Sequence, residues 1–232
     1  EQEFYHRLLS ADAYAAYEHF DETLQERGLL TASDDMVVPA LQYASRDFGD
    51  GRIEDHQIET LRDGMIEFIE ILKENTASGD GGTAQDSDGP IVVLAARGPI
   101  DEIAAHFAAA TLEQRVHRRV IVIEREAGLM GLASVRHILS GTMPSDLVLV
   151  TTGGIQRKLL YFIHKRAIRD FPSSRIVSCD LQERDGAISV GDEGNGERYH
   201  RCNSMQQLIA VMKTTVAAPE RSPASEPELR TA

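Results

Sequence analysis

The chain has no tryptophan and only two cysteines, Cys179 and Cys202, among 232 residues. Two thiols outside a CxxC spacing build no disulfide framework and suit a reducing compartment. Basic residues are scarce too: 24 Lys and Arg face 37 Asp and Glu, for a net charge of −13. A nucleic-acid surface needs an excess of cations, so nucleic acid is excluded as a partner, and the acidity also argues against docking on anionic lipid. No apolar run approaches the roughly 20 residues that cross a bilayer, and no signal peptide opens the chain. The first residue is Glu, not Met, so the chain is expected to be an excised piece of something longer. What is present, 42% hydrophobic residues, suffices for one large domain or two small ones.

Two regimes divide the chain. ENTASGDGGTAQDSDGP, residues 74–90, holds no large apolar residue and reads as a flexible linker at a domain boundary. Residues 1–74 carry helical periodicity and read as a four-helix bundle. Its helices are marked by Phe4, Leu8 and Leu9; by Tyr14, Tyr17, Phe20 and Leu24, begun near Ser10 and ended at Gly28; by Val37, Val38, Leu41 and Ala44, capped by Ser33 with Pro39 in or kinking its first turn; and by Ile58 to Leu72. Residues 91–217 change grammar. IVVLAA, RVIVIE, DLVLVTT and RIVSCD are buried-strand runs, with helical crossovers over 101–115, 129–140 and 154–170. The expected fold class is α/β, a helical bundle followed by a doubly wound, mainly parallel, flavodoxin-like sheet. AISV at 187–190 reads as a fifth strand, and SMQQLIAVMKTTV as a last helix with Ser204 and Gln207 in capping-box spacing. Residues 218–232 are Pro-, Ser- and Glu-rich, which predicts a disordered tail.

In open parallel sheets ligands lie beyond the carboxyl ends of the strands, where the strand order reverses. Two turns are therefore candidates: Arg97, Gly98 and Asp101 after the first strand, and Thr151, Thr152, Gly153 and Gly154 after the third. At the first, Asp101 and Glu102 already occupy the field of the helix start and Pro99 removes a donor, so acids that stabilise the helix are the plain reading and a phosphate is disfavoured. GxGxxG and GxxxxGK[ST] are both absent. The second turn offers two hydroxyls and open backbone N–H groups, which suit a small anion or polar ligand, or simply a strand-to-helix turn with threonine caps.

A helical module followed by a doubly wound sheet resembles the cobalamin-binding domains of methyltransferases and cobalamin-dependent regulators. Members carry Asp-x-His-x-x-Gly after the first strand, with the His ligating cobalt from below. Laid over VVLAARGPIDEIAAHF, the motif's Asp falls on Pro99, its His on Asp101 and its Gly on Ala104, so all three are replaced. A hard carboxylate is a poor stand-in for the imidazole, and the Ala104 methyl lies where the nucleotide tail would pass. His106 is a turn and a half further on. For the serine and glycine features that line the tail's channel there are only Thr151 or Thr152 and Ser173-Ser174.

A second resemblance covers nearly the whole chain. FYHRLLSADAYAAYEHFDETLQERG, VVPALQYASRDFGDGRIED and VVLAARGPIDEIAAHF are similar, in order and spacing, to the cytoplasmic C-terminal extension of autoinducer-2 exporter family permeases. The resemblance implies a non-enzymatic accessory or regulatory domain at the cytoplasmic face of the inner membrane, with no cofactor. Its partners would be the membrane-spanning part of the same polypeptide, a small-molecule ligand and a second copy of the chain. Two other functions stay open: a cobalamin sensor that binds base-on, and an enzyme that holds a divalent metal on the strand-end acids Asp101 and Asp180.

Other constellations are weak. His200, Cys202 and Cys179 could approach each other, yet their spacing matches no standard zinc site. No G-x-S-x-G elbow exists for Ser-His-Asp chemistry. A phosphorelay receiver would need acids after the first strand and Asp after the third, where Arg97-Gly98 and Thr151-Thr152 stand. Tyr14, Tyr17, Phe20 and Tyr43 sit at helical spacing, which fits core packing better than a ligand cap.

Overall fold

Five strands pair into one parallel sheet in a computed structural model that describes residues 1–76, 89–139, 142–153, 157–182 and 199–214. The strands are β1 (Ile91–Ala95), β2 (Val120–Ala127), β3 (Asp146–Thr151), β4 (Arg175–Asp180) and β5 (Tyr199–Cys202). Their order is β2-β1-β3-β4-β5 and every pair is parallel. Every residue of β1, β3 and β4 is buried, as expected of strands covered on both faces. Because β1 lies between β2 and β3, the chain reverses direction across the sheet at the β1/β3 gap. This is the switch point of the doubly wound fold.

The crossovers are α6 (Pro99–Val116), α7 (Gly128–Ile138) and α8 (Arg157–Asp170), and α9 (Met205–Lys213) follows β5. Helices α7 and α8 cover one face of the sheet through Leu132, Val135, Ile163 and Ala167, with Phe171 just after α8. Helices α6 and α9 cover the other and carry the helical half of the chain on their outer side. That half consists of α1 (Gln2–Leu9), α2 (Ala13–Arg27), a helix in three pieces over 29–49, and α5 (Asp55–Thr76). The hydrophobic core runs unbroken from it into the sheet. Phe68 of α5 is fully buried, edge-on to Phe4 and Phe20 at 5.1 and 5.2 Å, and tilted against Phe107 of α6 at 6.4 Å.

Three local expectations are corrected. The second helix begins at Ala13, because Asp12, not Ser10, caps it by accepting from the Ala15 N–H at 3.1 Å. The third helix begins at Leu29, directly after Gly28: α3 (Leu29–Ala32) runs through a π turn (Ser33–Val37) into α4 (Val38–Gly49). Ser33 therefore lies inside the helix, and its hydroxyl donates back to the Leu29 carbonyl at 2.7 Å instead of capping. The last strand of the sheet is Tyr199–Cys202, a segment the apolar pattern does not mark. The AISV segment, most of the 75–90 linker and the 218–232 tail lie outside the described residues. Phe20 is core, Tyr17 and Tyr43 are half-buried against it, and Tyr14 is exposed.

Candidate functional site

The carboxyl ends of β1 and β3 are joined by one side chain. Gly98 is the N-cap of α6 and Pro99 occupies its first turn, which fixes φ where no N–H donor is needed. Asp101 follows in that turn and points inward, 3% exposed. Its Oδ1 accepts from the Thr152 backbone N–H at 2.7 Å and from the Thr152 hydroxyl at 2.8 Å. The carboxylate thus spans the gap between β1 and β3. Its second oxygen, Oδ2, is buried without a hydrogen-bond partner. Burial pushes the Asp101 pKa up; the Thr152 donors, the neighbouring Thr151 hydroxyl and the charge of nearby Arg97 oppose this without reversing it.

Thr151 and Thr152 are both buried, and the Gly153 N–H donates to the Thr151 hydroxyl at 3.3 Å. Gly153 has a left-handed φ of 117°, which favours glycine, and a side chain there would press on Gln182. Arg97 is exposed on the rim. The structure therefore brings Asp101, Thr151, Thr152 and Gly153 together, with Arg97 and Gly98 beside them; Gly154 lies outside the described residues. Beside the site, Asp55, Ile58, Glu59 and Arg62 of α5 and Pro99 and Glu102 of α6 line an open groove of about 200 Å³. Asp101 is not among its walls.

Residues that sequence reasoning missed tie the helical half to this end of the sheet. The Gln42 amide donates to the Leu181 carbonyl just beyond β4 at 2.6 Å. Asp34, in the π turn, accepts from the Met205 and Gln206 N–H groups at 2.6 and 3.1 Å and so caps α9. No local motif announces either contact, since the partners lie 139 to 172 residues apart. The α9 cap itself was legible: Ser204 accepts from the Gln207 N–H at 3.1 Å.

Asp180 does not join Asp101. Its Oδ2 is ion-paired to Arg201 at 2.9 Å. Cys179 and Cys202 are register partners on β4 and β5, both buried, and the contact between them together with burial raises the Cys179 pKa. Among the described residues no group of three His, Cys, Asp or Glu could hold a metal ion. On the other face of the sheet His164 is buried against the Tyr199 ring at 4.9 Å, and burial with the nearby Arg201 charge lowers its pKa to about 4.

No protein-family model and no curated protein matches the chain. Solved structures do. The Methanosarcina barkeri monomethylamine corrinoid protein aligns over 90% of this chain and 94% of its own, at 12% identity and a TM-score of 0.53. The chain shares the fold of a corrinoid protein. Two further structures align over similar lengths at a TM-score of 0.36: the methanol:cobalamin methyltransferase complex MtaBC of Methanosarcina barkeri, at 15% identity over 93% of this chain and 80% of that one, and a cobalamin-binding protein of Desulfitobacterium hafniense DCB-2, at 10% identity over 90% and 94%.

On this corrinoid-protein fold the residues at the switch point do not suit a cobalt ligand from below. Asp101, on which the His of the Asp-x-His-x-x-Gly motif falls in the sequence, is turned inward and held by Thr152. Ala104, on which the motif's Gly falls in the sequence, is fully buried in the core. His106 is only half-buried, further along α6.

Proposed function

We propose that the chain is a non-enzymatic accessory or regulatory domain at the cytoplasmic face of a membrane permease, built on a cobalamin-binding-type scaffold with a degenerate metal-side turn. The observation that carries the degenerate-module reading is Asp101 closing the β1/β3 gap on Thr152. A group that would project toward a ligand in a working module is here committed to an internal bond. Any small ligand is then received beside the closed gap, in the groove between α5 and the start of α6. The permease context is supported by the ordered motifs FYHRLL, PAL and RGPID. Among the described residues no helix is long and apolar enough to cross a membrane, so the spanning part would be supplied by other residues of the polypeptide.

Two measurements test this reading. The protein is mixed with hydroxocobalamin and passed over a gel-filtration column; we expect a colourless protein peak, and a coloured one makes the chain a base-on cobalamin sensor instead. Reading the coding frame upstream of Glu1 should reveal apolar spans of roughly 20 residues; their absence removes the permease. The metal-dependent enzyme alternative predicts a thermal shift with magnesium, manganese or zinc. The engagement of Asp180 by Arg201 and of Asp101 by Thr152 argues for none.

A further inference from the structure

The net charge of −13 is not evenly spread. Residues 1–76 hold 18 acids and six basic residues, and they form the helical half that packs on the α6/α9 side of the sheet. The opposite face is built by α7 and α8. The α8 sequence, RKLLYFIHKRAIRD, has five basic residues and one acid, and α7 adds Arg136 and no acid. That single acid, Asp170, is 7% exposed as a side chain and folded back onto Arg166 and Arg169. Among the described residues, the helical half is thus acidic and the α7/α8 layer on the other side of the sheet is cationic.

The cationic side also presents rings. Leu160, Ile163 and Ala167 turn α8 onto the sheet. The other arc of the helix holds Tyr161 and Phe162, 52% and 59% exposed and 6.0 Å apart, with Lys158, Lys165 and Arg169 around them. Met130, at the start of α7, is 67% exposed on the same layer. Adjacent exposed apolar side chains that form a patch, as the Tyr161 and Phe162 rings do, mark a contact site where single ones do not. Two features choose the occupant. Lysines stand in the middle of the exposed arc, and lysine is depleted from the cores of protein interfaces. Aromatic rings interleaved with Lys and Arg on one helix face suit the headgroup and acyl boundary of a bilayer, where rings insert and cations meet lipid phosphates and carboxylates.

We infer that α8, flanked by α7, is a docking face for an anionic membrane surface. The acidic helical half then points away from the lipid, which removes the repulsion that the net charge alone would suggest. This docking rests on the charge and shape of the α7/α8 layer and does not require the closed switch point.

Flotation with lipid vesicles tests it. The whole chain should float with phosphatidylcholine vesicles containing phosphatidylserine, fail to float with phosphatidylcholine alone, and dissociate as salt is raised. Each cation near the surface is worth on the order of five-fold in partitioning, so K158Q/K165Q should lower binding by about 25-fold, and K158E/K165E by more. F162S should weaken binding several-fold while leaving its salt dependence unchanged. These side chains are exposed, and circular dichroism verifies that each variant is folded. No flotation with anionic vesicles, or equal flotation of the lysine variants, overturns the inference. So does self-association in sedimentation that the lysine substitutions abolish while vesicles bind nothing, because the face would then belong to a second copy of the chain.

Discussion

Asp101 faces a conflict that its neighbours only partly resolve. Two donors from Thr152 satisfy one oxygen, the other has none, and burial penalises the charged form. Asp101→Ala would strand both Thr152 donors and should cost about 2–3 kcal/mol in urea unfolding. Asp101→Asn keeps the acceptor and removes the charge, so it should stay within about 1 kcal/mol of the parent. The parent and Asp101→Asn also differ in pH response. Since the folded-state pKa is raised, the folded protein holds the proton more tightly than the unfolded one. The contribution is then full below the ordinary carboxylate value and is lost as pH rises through the folded value. The stability difference between parent and Asp101→Asn should move in the variant's favour across that window and stay flat above it. His164 has the opposite sign. Its pKa falls from 6.5 to about 4, so the unfolded state takes up the proton first and stability drains away as pH falls between those values. The shift corresponds to about 3 kcal/mol, and His164→Leu should abolish that part of the acid loss in denaturation measured at successive pH values.

Elements were legible where local chemistry decided them and hidden where distant contacts did. β1, β3 and β4 are apolar runs buried on both faces, and the turn into α6 has its Gly-Pro start in plain view. β5 was missed because it is four residues long, mostly half-exposed, and polar at three positions. From sequence the third helix starts at Ser33 and not at Leu29, because a serine before an apolar run reads as a cap. Its hydroxyl is satisfied one turn back, and Asp34 beside it is engaged by α9. The same division applies to the site. That Asp101 and Thr152 stand at strand ends could be read from the chain. That they bond could not, since it depends on β1 and β3 being neighbours, a fact carried by the whole sheet. The β2–α7 junction sits between these cases. Gly128 has a left-handed φ of 55°, and a Cβ there would approach the Ala96 carbonyl oxygen at 2.9 Å and Ile163 at 3.2 Å. The Ile163 methyl can turn aside, but the Ala96 carbonyl is backbone at the end of β1 and must itself shift. Gly128→Ala should therefore cost about 2–3 kcal/mol in thermal or urea unfolding. A neutral result would show that the end of β1 is looser than this contact implies.

At the scale of the molecule, the change in sequence grammar near residue 75 suggests two bodies, whereas the core does not divide there. Phe68 of α5 lies among Phe4, Phe20 and Phe107, so one ring is shared by three helices of the first half and by the first crossover of the sheet. Lys73 pairs with Glu113 at 2.7 Å along the same seam. The Gln42 and Asp34 contacts fasten the seam's other side to β4 and α9. Neither half can then unfold without exposing buried surface of the other, and unfolding should be one cooperative transition. Phe68→Ala opens a cavity at the shared point and should cost about 3–5 kcal/mol, far more than an exposed substitution on α5. The loss should appear equally in far-ultraviolet dichroism, which reports all the helices, and in exchange protection of the β1 and β3 amides, which reports the sheet alone. If Phe68→Ala melted the helices while those amides stayed protected, the halves would be independent domains. The cleft between them would then be free to open for a ligand, as it cannot when they share a core.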